Sequence, residues 1–143
     1  MRSVAGVLAG MLAGLATIWL VELLGHTIYP LPSDLNVRNE EDLAASLQTM
    51  PFGALLFAVA AWFLGALVGG AVASSIVRRR WPAWLVAGLI AGAAVVTVLM
   101  IPHPEWMQVS AVLLPVLGGV IAGHYASGRN VRPTRKEATD AAL

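Results

Sequence analysis

Four apolar stretches, each close to the length of a membrane span, constrain the fold of this chain more than any other feature. They cover about residues 4–24, 52–77, 81–101 and 107–126. A helix rises about 1.5 Å per residue, so about 20 residues cross the roughly 30 Å hydrocarbon core of a bilayer. Lipid offers the backbone no hydrogen-bond partners, and spanning strands would need only about ten residues of alternating polarity. The sequence therefore predicts an all-α integral membrane four-helix bundle formed by residues 1–126.

The composition agrees with a lipid environment. Of the 143 residues, 58% are hydrophobic and only 12% are charged, whereas an average soluble domain has about 25% charged residues. The chain has no cysteine, so it offers neither a disulfide nor a thiolate metal ligand. The first apolar run also fits a secretory signal peptide, but it is longer than the usual run of about 7–15 residues and lacks an A-x-A cleavage pattern. We therefore expect it to be the first span.

The basic residues predict the orientation of the spans. Lys and Arg lie at the amino end, in the loop at Arg78–Arg80 and in the tail, and Arg38 is the one exception. Such residues beside spans stay in the cytoplasm, so both termini are predicted to be cytoplasmic and the loops at 26–50 and 102–106 external. Residues 127–143 are predicted to form a basic, disordered cytoplasmic tail. Topology explains these charges, so we expect no nucleic-acid partner.

Glycines spaced four residues apart occur in every predicted span. This spacing places small residues on one helix face and lets two backbones approach closely within lipid. The predicted packing positions are Gly6, Gly10, Gly14, Gly65, Gly69, Gly88, Gly92, Gly119 and Gly123. Bulkier residues fill the outer halves of the first three spans. We therefore expect the helices to touch at the inner end and to splay outward around a shallow cup, unless large side chains fill that gap.

Two short similarities suggest that the two hairpins form a weak parallel internal repeat. VAGVLAG at residues 4–10 recurs as VAGLIAG at 86–92, and LVGGAVAS at 67–74 resembles LGGVIAG at 117–123. Parallel repeats of this type occur in some transporters. Chance similarity is the alternative, because Ala, Gly and Val are abundant in this chain.

A short amphipathic helix is predicted in the first outer loop. The segment NEEDLAASLQTMP at residues 39–51 offers an asparagine N-cap, acids in its first turn and leucines on one face. Such a helix would lie on the outer membrane surface. It would serve either as a connector or as a lid over the cup.

Two histidines near prolines mark the predicted outer turns, His26 in GHTIYP and His103 in IPHPEW. Glu22 and His26 are four residues apart and so share a helix face. Together with His103 they form a candidate ligand site at the outer rim, if the first and third spans are neighbours. Two imidazoles and a carboxylate suit zinc, and two histidines alone suit haem or a proton relay, so any cofactor stays unknown. Alternatively, these residues only mark helix ends at the interface, where a carboxylate reaches water.

The stretches VELLGHTIYP, AWFLGALVGG and HPEW together resemble small four-span bacterial inner-membrane proteins that have no assigned activity. The resemblance covers about residues 4–126, and it implies a fold and a bacterial inner-membrane location but no reaction. No phosphate loop, helical H-E-x-x-H motif or nucleophile–base pair is found in the sequence. We therefore do not expect this chain to be an enzyme.

Three functions remain open from the sequence. The favoured one is a structural or accessory protein that acts through glycine-faced helix packing in the lipid bilayer, as a homo-oligomer or within a larger membrane complex. The second is a metal or cofactor binder at the outer rim. The third is a small-solute or proton carrier, which ranks last because the spans offer few polar residues near mid-membrane, namely Thr17, Thr97 and Ser110.

Overall fold

The computed structural model describes residues 2–30, 49–100 and 103–128, with side chains described through Tyr125. This part of the chain forms four helices, α1 (Arg2–Ile28), α2 (Phe52–Val77), α3 (Trp81–Met100) and α4 (Glu105–Gly128). All four are long and apolar enough to cross a membrane. The chain is therefore an all-α, multi-pass membrane protein, as the apolar runs predicted.

The helix bounds follow the predicted spans closely. The α2 helix covers the predicted range, whereas α1 and α4 extend beyond theirs at both ends. Residues 39–48 of the predicted amphipathic helix and residues 129–143 of the predicted tail lie outside the described residues. The internal repeat stays a prediction.

The α2 helix is the centre of the bundle. It packs against α1, α3 and α4, whereas α1 touches α3 only slightly and its backbone does not approach that of α4 among the described residues. The most apolar window of α1 is accordingly 17% buried, compared with 44% for α2. The first span is therefore attached to the bundle almost entirely through one neighbour.

Glycines on both helices bring α1 and α2 together. A Cβ atom built on Gly10 would lie 2.6 Å from the carbonyl oxygen of Gly69, and one on Gly14 would lie 2.9 Å from that of Gly65. Real Cβ atoms essentially never approach closer than 3.0 Å. One turn earlier, Gly6 faces the side chains of α2's last turn. Glycine is therefore required at this contact, which we call the glycine seam, because a side chain would separate the two backbones.

Alanines form the small inward face of α3. Ala83, Ala87 and Ala91 are buried, and a Cβ built on Gly119 of α4 would lie 2.5 Å from Ala87 Cβ. At Gly123, one turn later, the nearest atoms would lie at an ordinary 3.9 Å. The α3–α4 contact is thus tightest around Gly119 and relaxes toward the end of α4.

Gly88 and Gly92, which the sequence predicted as packing positions, make no helix-packing contact within the described part of the chain. Both are exposed, and a Cβ built on either would meet nothing within 4 Å. A helix turns about 100° per residue, so Gly88 cannot face the same side as the neighbouring Ala87. Because the alanine face is turned inward, this glycine pair is left on the outer surface of the bundle.

The two ends of the bundle differ in charge. Arg2 donates from Nε to the carbonyl oxygen of Ile76 at 3.0 Å, and Arg78–Arg80 follow directly at the end of α2. We call this the arginine end. Basic groups here also complement the negative end of the α2 dipole. The opposite end, which carries Pro30, Pro51 and Pro104, is called the distal end.

Candidate functional site

A cleft of about 230 Å³ opens at the distal end between α1 and the first turns of α2 and α4. Its polar lining residues are Glu22, His26, Tyr29 and His103. Its apolar lining residues are Gly25, Met50, Ala54, Leu55, Phe57, Ala58 and Met107. We call it the distal cleft. It lies at the end of the bundle where the sequence predicted an outward-facing cup.

The distal cleft brings Glu22, His26 and His103 to one place, although not by the expected route. That expectation required α1 and α3 to be close neighbours, but they touch only slightly. The last turns of α1 and the segment before α4 both border the start of α2, and these three elements line the cleft. The central helix therefore organises the site.

An internal hydrogen bond sets the protonation pattern of a neutral His26 ring. Its Nδ1 lies 2.8 Å from the main-chain carbonyl oxygen of Glu22. A carbonyl oxygen can only accept, so Nδ1 is the donor, and the lone pair of the neutral imidazole lies on Nε2. Nε2 is therefore the atom through which this residue would accept a hydrogen bond from a ligand.

His103 is positioned by the backbone at the start of α4. Gln108 donates from Nε2 to the carbonyl oxygen of His103 at 3.0 Å, and the amides of Met107 and Gln108 donate to Pro104 at 2.9 and 3.3 Å. Proline also restricts the conformation of the residue before it. The half-buried His103 side chain is thereby held at the edge of the distal cleft.

An aromatic pair, Tyr29 and Phe57, forms one wall of the cleft. The ring centroids are 6.2 Å apart and the planes meet edge to face at 60°. Two glycines fit against these rings: a Cβ built on Gly25 would lie 2.9 Å from Phe57 Cβ, and Gly53 lies directly against the Tyr29 ring. We refer to the four residues as the aromatic wall. The sequence did not reveal it, because neither glycine belongs to the four-residue spacing.

Glu22 is half-buried as a residue, and its carboxylate has no hydrogen-bond or ion-pair partner within residues 2–30, 49–100 and 103–128. The arginines in those ranges, Arg2 and Arg78–Arg80, are all at the arginine end of the bundle. Glu105 is exposed at the start of α4 and does not line the cleft. Glu22 is therefore the carboxylate that the distal cleft offers to a ligand.

The described residues contain no group of three or more His, Cys, Asp or Glu side chains arranged to hold a metal ion. Lining one cleft is not sufficient, because zinc requires ligand atoms about 2 Å from the ion. Glu22, His26 and His103, the candidate metal ligands, therefore share a cleft but are not arranged to coordinate one ion.

His124 lies apart from this cleft. It is exposed at the arginine end, with Nδ1 3.0 Å from the carbonyl oxygen of Val120.

No protein-family model, no curated protein and no solved structure matches this chain. The resemblance to small four-span bacterial inner-membrane proteins therefore stays a prediction.

Proposed function

We propose that this chain is a structural or accessory protein of the bacterial inner membrane and that it acts through contacts between transmembrane helices. Support for the location comes from the sequence resemblance. Support for cytoplasmic termini comes from the arginine end, since basic residues beside spans stay in the cytoplasm. The observation that carries the proposed role is the exposed glycine pair on α3, Gly88 and Gly92.

An exposed glycine pair has a free-energy cost that contacts among the described residues do not offset. Glycine in a helix interior is about 1 kcal/mol less favourable than alanine. In the glycine seam, close backbone contact offsets that cost, but a Cβ built on Gly88 or Gly92 would meet no neighbouring element within 4 Å among the described residues. A helix from another molecule packed on this face would supply the missing contact.

The partner that best fits this face is a second copy of it. Within the chain, Gly10 and Gly14 meet Gly65 and Gly69, so glycine against glycine is already how two of its helices join. A twofold axis would set Gly88 and Gly92 against the same residues of the other copy, in a self-complementary interface. Large side chains flank the pair and would pack around it: Trp84, Leu85 and Leu89, which are 50%, 43% and 48% exposed.

The test is self-association in lipid vesicles, measured by photobleaching or energy transfer over a range of protein-to-lipid ratios. The double substitution Gly88→Leu/Gly92→Leu should weaken association at least tenfold, because a leucine side chain holds the two backbones apart. Ala16→Leu, at an exposed position of α1, is the matched control and should associate as the wild type does. A wild type that stays monomeric at every ratio, or a control as weakened as the double variant, would refute self-association through α3.

A further inference from the structure

We infer that the distal cleft binds an alkylammonium group, the chemistry shared by choline and ethanolamine headgroups and by small free amines. This inference does not depend on the helix-contact role proposed above. It rests on the charge, the aromatic wall and the location of the cleft.

The charge of the cleft selects for a cation. A ligand that fills the cleft would remove the Glu22 carboxylate from water, which is costly unless an opposite charge or hydrogen-bond donors compensate it. The Glu22 carboxylate receives neither from the described residues, and no lysine or arginine of those ranges lines the cleft. A phosphate or carboxylate ligand would be repelled by Glu22, whereas an ammonium group would neutralise it.

The aromatic wall suits an organic cation better than a bare metal ion. A cation within about 6 Å of an aromatic ring face gains roughly 0.5–2 kcal/mol, and quaternary ammonium groups are recognised in this way. Tyr29 and Phe57 both line the cleft with Glu22, and Gly25 and Gly53 fit against their rings. The described residues also lack a metal-binding group of side chains. Carboxylate and aromatic rings together therefore favour an ammonium bearing carbon substituents.

A primary ammonium would find a second acceptor in His26. The Nδ1 atom of this ring donates to the Glu22 carbonyl oxygen, so the Nε2 lone pair of the neutral ring is left to accept an N–H of the ligand. A quaternary ammonium has no N–H and would use only Glu22 and the aromatic wall. Loss of the His26 acceptor should therefore weaken ethanolamine binding more than choline binding.

The volume of the cleft and its position along α1 fit a lipid headgroup or a small amine. At about 230 Å³ it is smaller than the roughly 300–1,000 Å³ pockets of drug-sized ligands. Glu22 lies roughly 30 Å along α1 from Arg2, which is the thickness of the hydrocarbon core. Within the described ranges the backbones of α1 and α4 do not approach each other, so no close helix pairing seals the cleft between them. Both a lipid headgroup and a free amine would thus have access.

The experiment uses the full chain in nanodiscs made of phosphatidylglycerol, which contains no amine. Choline and ethanolamine are titrated and binding is followed by saturation-transfer NMR. In a second arm, native mass spectrometry compares retention of phosphatidylethanolamine and phosphatidylglycerol from an equimolar mixture. Glu22→Gln should weaken ammonium binding at least tenfold in whichever arm shows it. Glu105→Gln, which removes an exposed acid near the same end but outside the cleft, should stay within about twofold of wild type.

Two further variants keep the inference testable if Glu22→Gln does not fold. Phe57→Leu should weaken both amines several-fold by removing a ring, and His26→Phe should weaken ethanolamine while largely sparing choline. Binding of the free amines identifies a soluble source, and retention of phosphatidylethanolamine alone identifies a lipid source; either outcome supports the site. The inference is overturned if neither arm shows ammonium binding, if Glu22→Gln and Glu105→Gln behave alike, or if zinc binds stoichiometrically while the amines do not.

Discussion

The segments VAGVLAG at 4–10 and VAGLIAG at 86–92 are almost identical in sequence and opposite in environment. In the first, Gly6 and Gly10 are buried against α2; in the second, Gly88 and Gly92 are exposed, and a Cβ built on either would meet nothing within 4 Å. Each segment contains Ala-Gly pairs four residues apart, and hence two adjacent small faces. The α1 helix turns its glycine face inward, and α3 turns its alanine face inward.

The number of neighbours explains which face is buried. The α1 helix packs mainly on α2, whose own glycines allow the closest approach. The α3 helix packs against both α2 and α4 and also buries larger side chains. Val98 packs with residues of α2 and α4, whereas Val86 and Ile90 pack with residues of α2 and α1. Burying those residues rotates the helix so that its alanines meet Gly119 and its glycines point away. A small-residue motif thus identifies a face capable of close contact, but the rest of the helix decides whether that face is used within the chain.

The largest expected difference is between Gly10→Leu and Gly92→Leu, which alter equivalent positions of the two segments. At Gly10 even a Cβ would lie 2.6 Å from a backbone oxygen of α2, and backbone cannot move aside as a flexible side chain can. We expect the free energy of unfolding to fall by about 3 kcal/mol or more, the upper range for overpacking. Gly92→Leu should instead raise the free energy of unfolding of the isolated monomer by about 0.5–1 kcal/mol, because leucine is the better helix former and a side chain meets no neighbour at this exposed position.

Unfolding of both variants in detergent, followed by circular dichroism during titration with sodium dodecyl sulfate, measures this difference. The monomer must be used, because Gly92→Leu is separately expected to weaken self-association. Equal losses in the two variants would show that the two segments have the same environment after all.

The sequence was sufficient to predict the spans, because hydropathy and length alone determine which segments cross lipid. It also selected Glu22, His26 and His103, which share the distal cleft. Local spacing does not identify the partner of a helix face, so the exposure of Gly88 and Gly92 was not predictable. Nor does any local pattern connect Tyr29 with Phe57, since their contact depends on how the end of α1 packs against the first two turns of α2. Tertiary geometry alone supplies these features.

A smaller difference is expected within α4, between Gly119→Ala and Gly123→Ala. A Cβ at Gly119 would lie 2.5 Å from Ala87 Cβ, whereas at Gly123 the nearest atoms lie at 3.9 Å. We expect Gly119→Ala to lower the free energy of unfolding by about 1–2 kcal/mol through overpacking. Gly123→Ala should raise it by about 0.5–1 kcal/mol, because alanine is the better helix former.

The same detergent unfolding measurement gives both values, and the opposite signs make each variant the control for the other. Stabilisation by both substitutions would show that α4 can shift away from α3 at little cost. The close contact around Gly119 would then not hold this part of the bundle together.

The smallest expected effect concerns Arg78, which occupies a left-handed backbone position of the kind that usually carries glycine. No described glycine has a positive φ, and the described non-glycine residue that does is Arg78, at φ 60° and ψ 35° after the end of α2. The left-handed backbone position is therefore occupied by an arginine and not by a glycine. The left-handed conformation of a non-glycine residue costs about 1–2 kcal/mol of conformational free energy. Glycine also loses more chain entropy on folding, so Arg78→Gly should raise the free energy of unfolding by only about 0.5 kcal/mol.

Arg79→Gly removes the same charge from the same turn without a left-handed residue to relieve, and it is the matched control. It should be neutral or destabilising in detergent unfolding, because glycine adds chain entropy to the unfolded state and relieves no strain. If Arg78→Gly proved as destabilising as Arg79→Gly, the interactions of the Arg78 side chain would outweigh its backbone cost. The arginine would then be retained for those interactions as well as for its charge beside the membrane, and the left-handed turn would be a secondary feature of the arginine end.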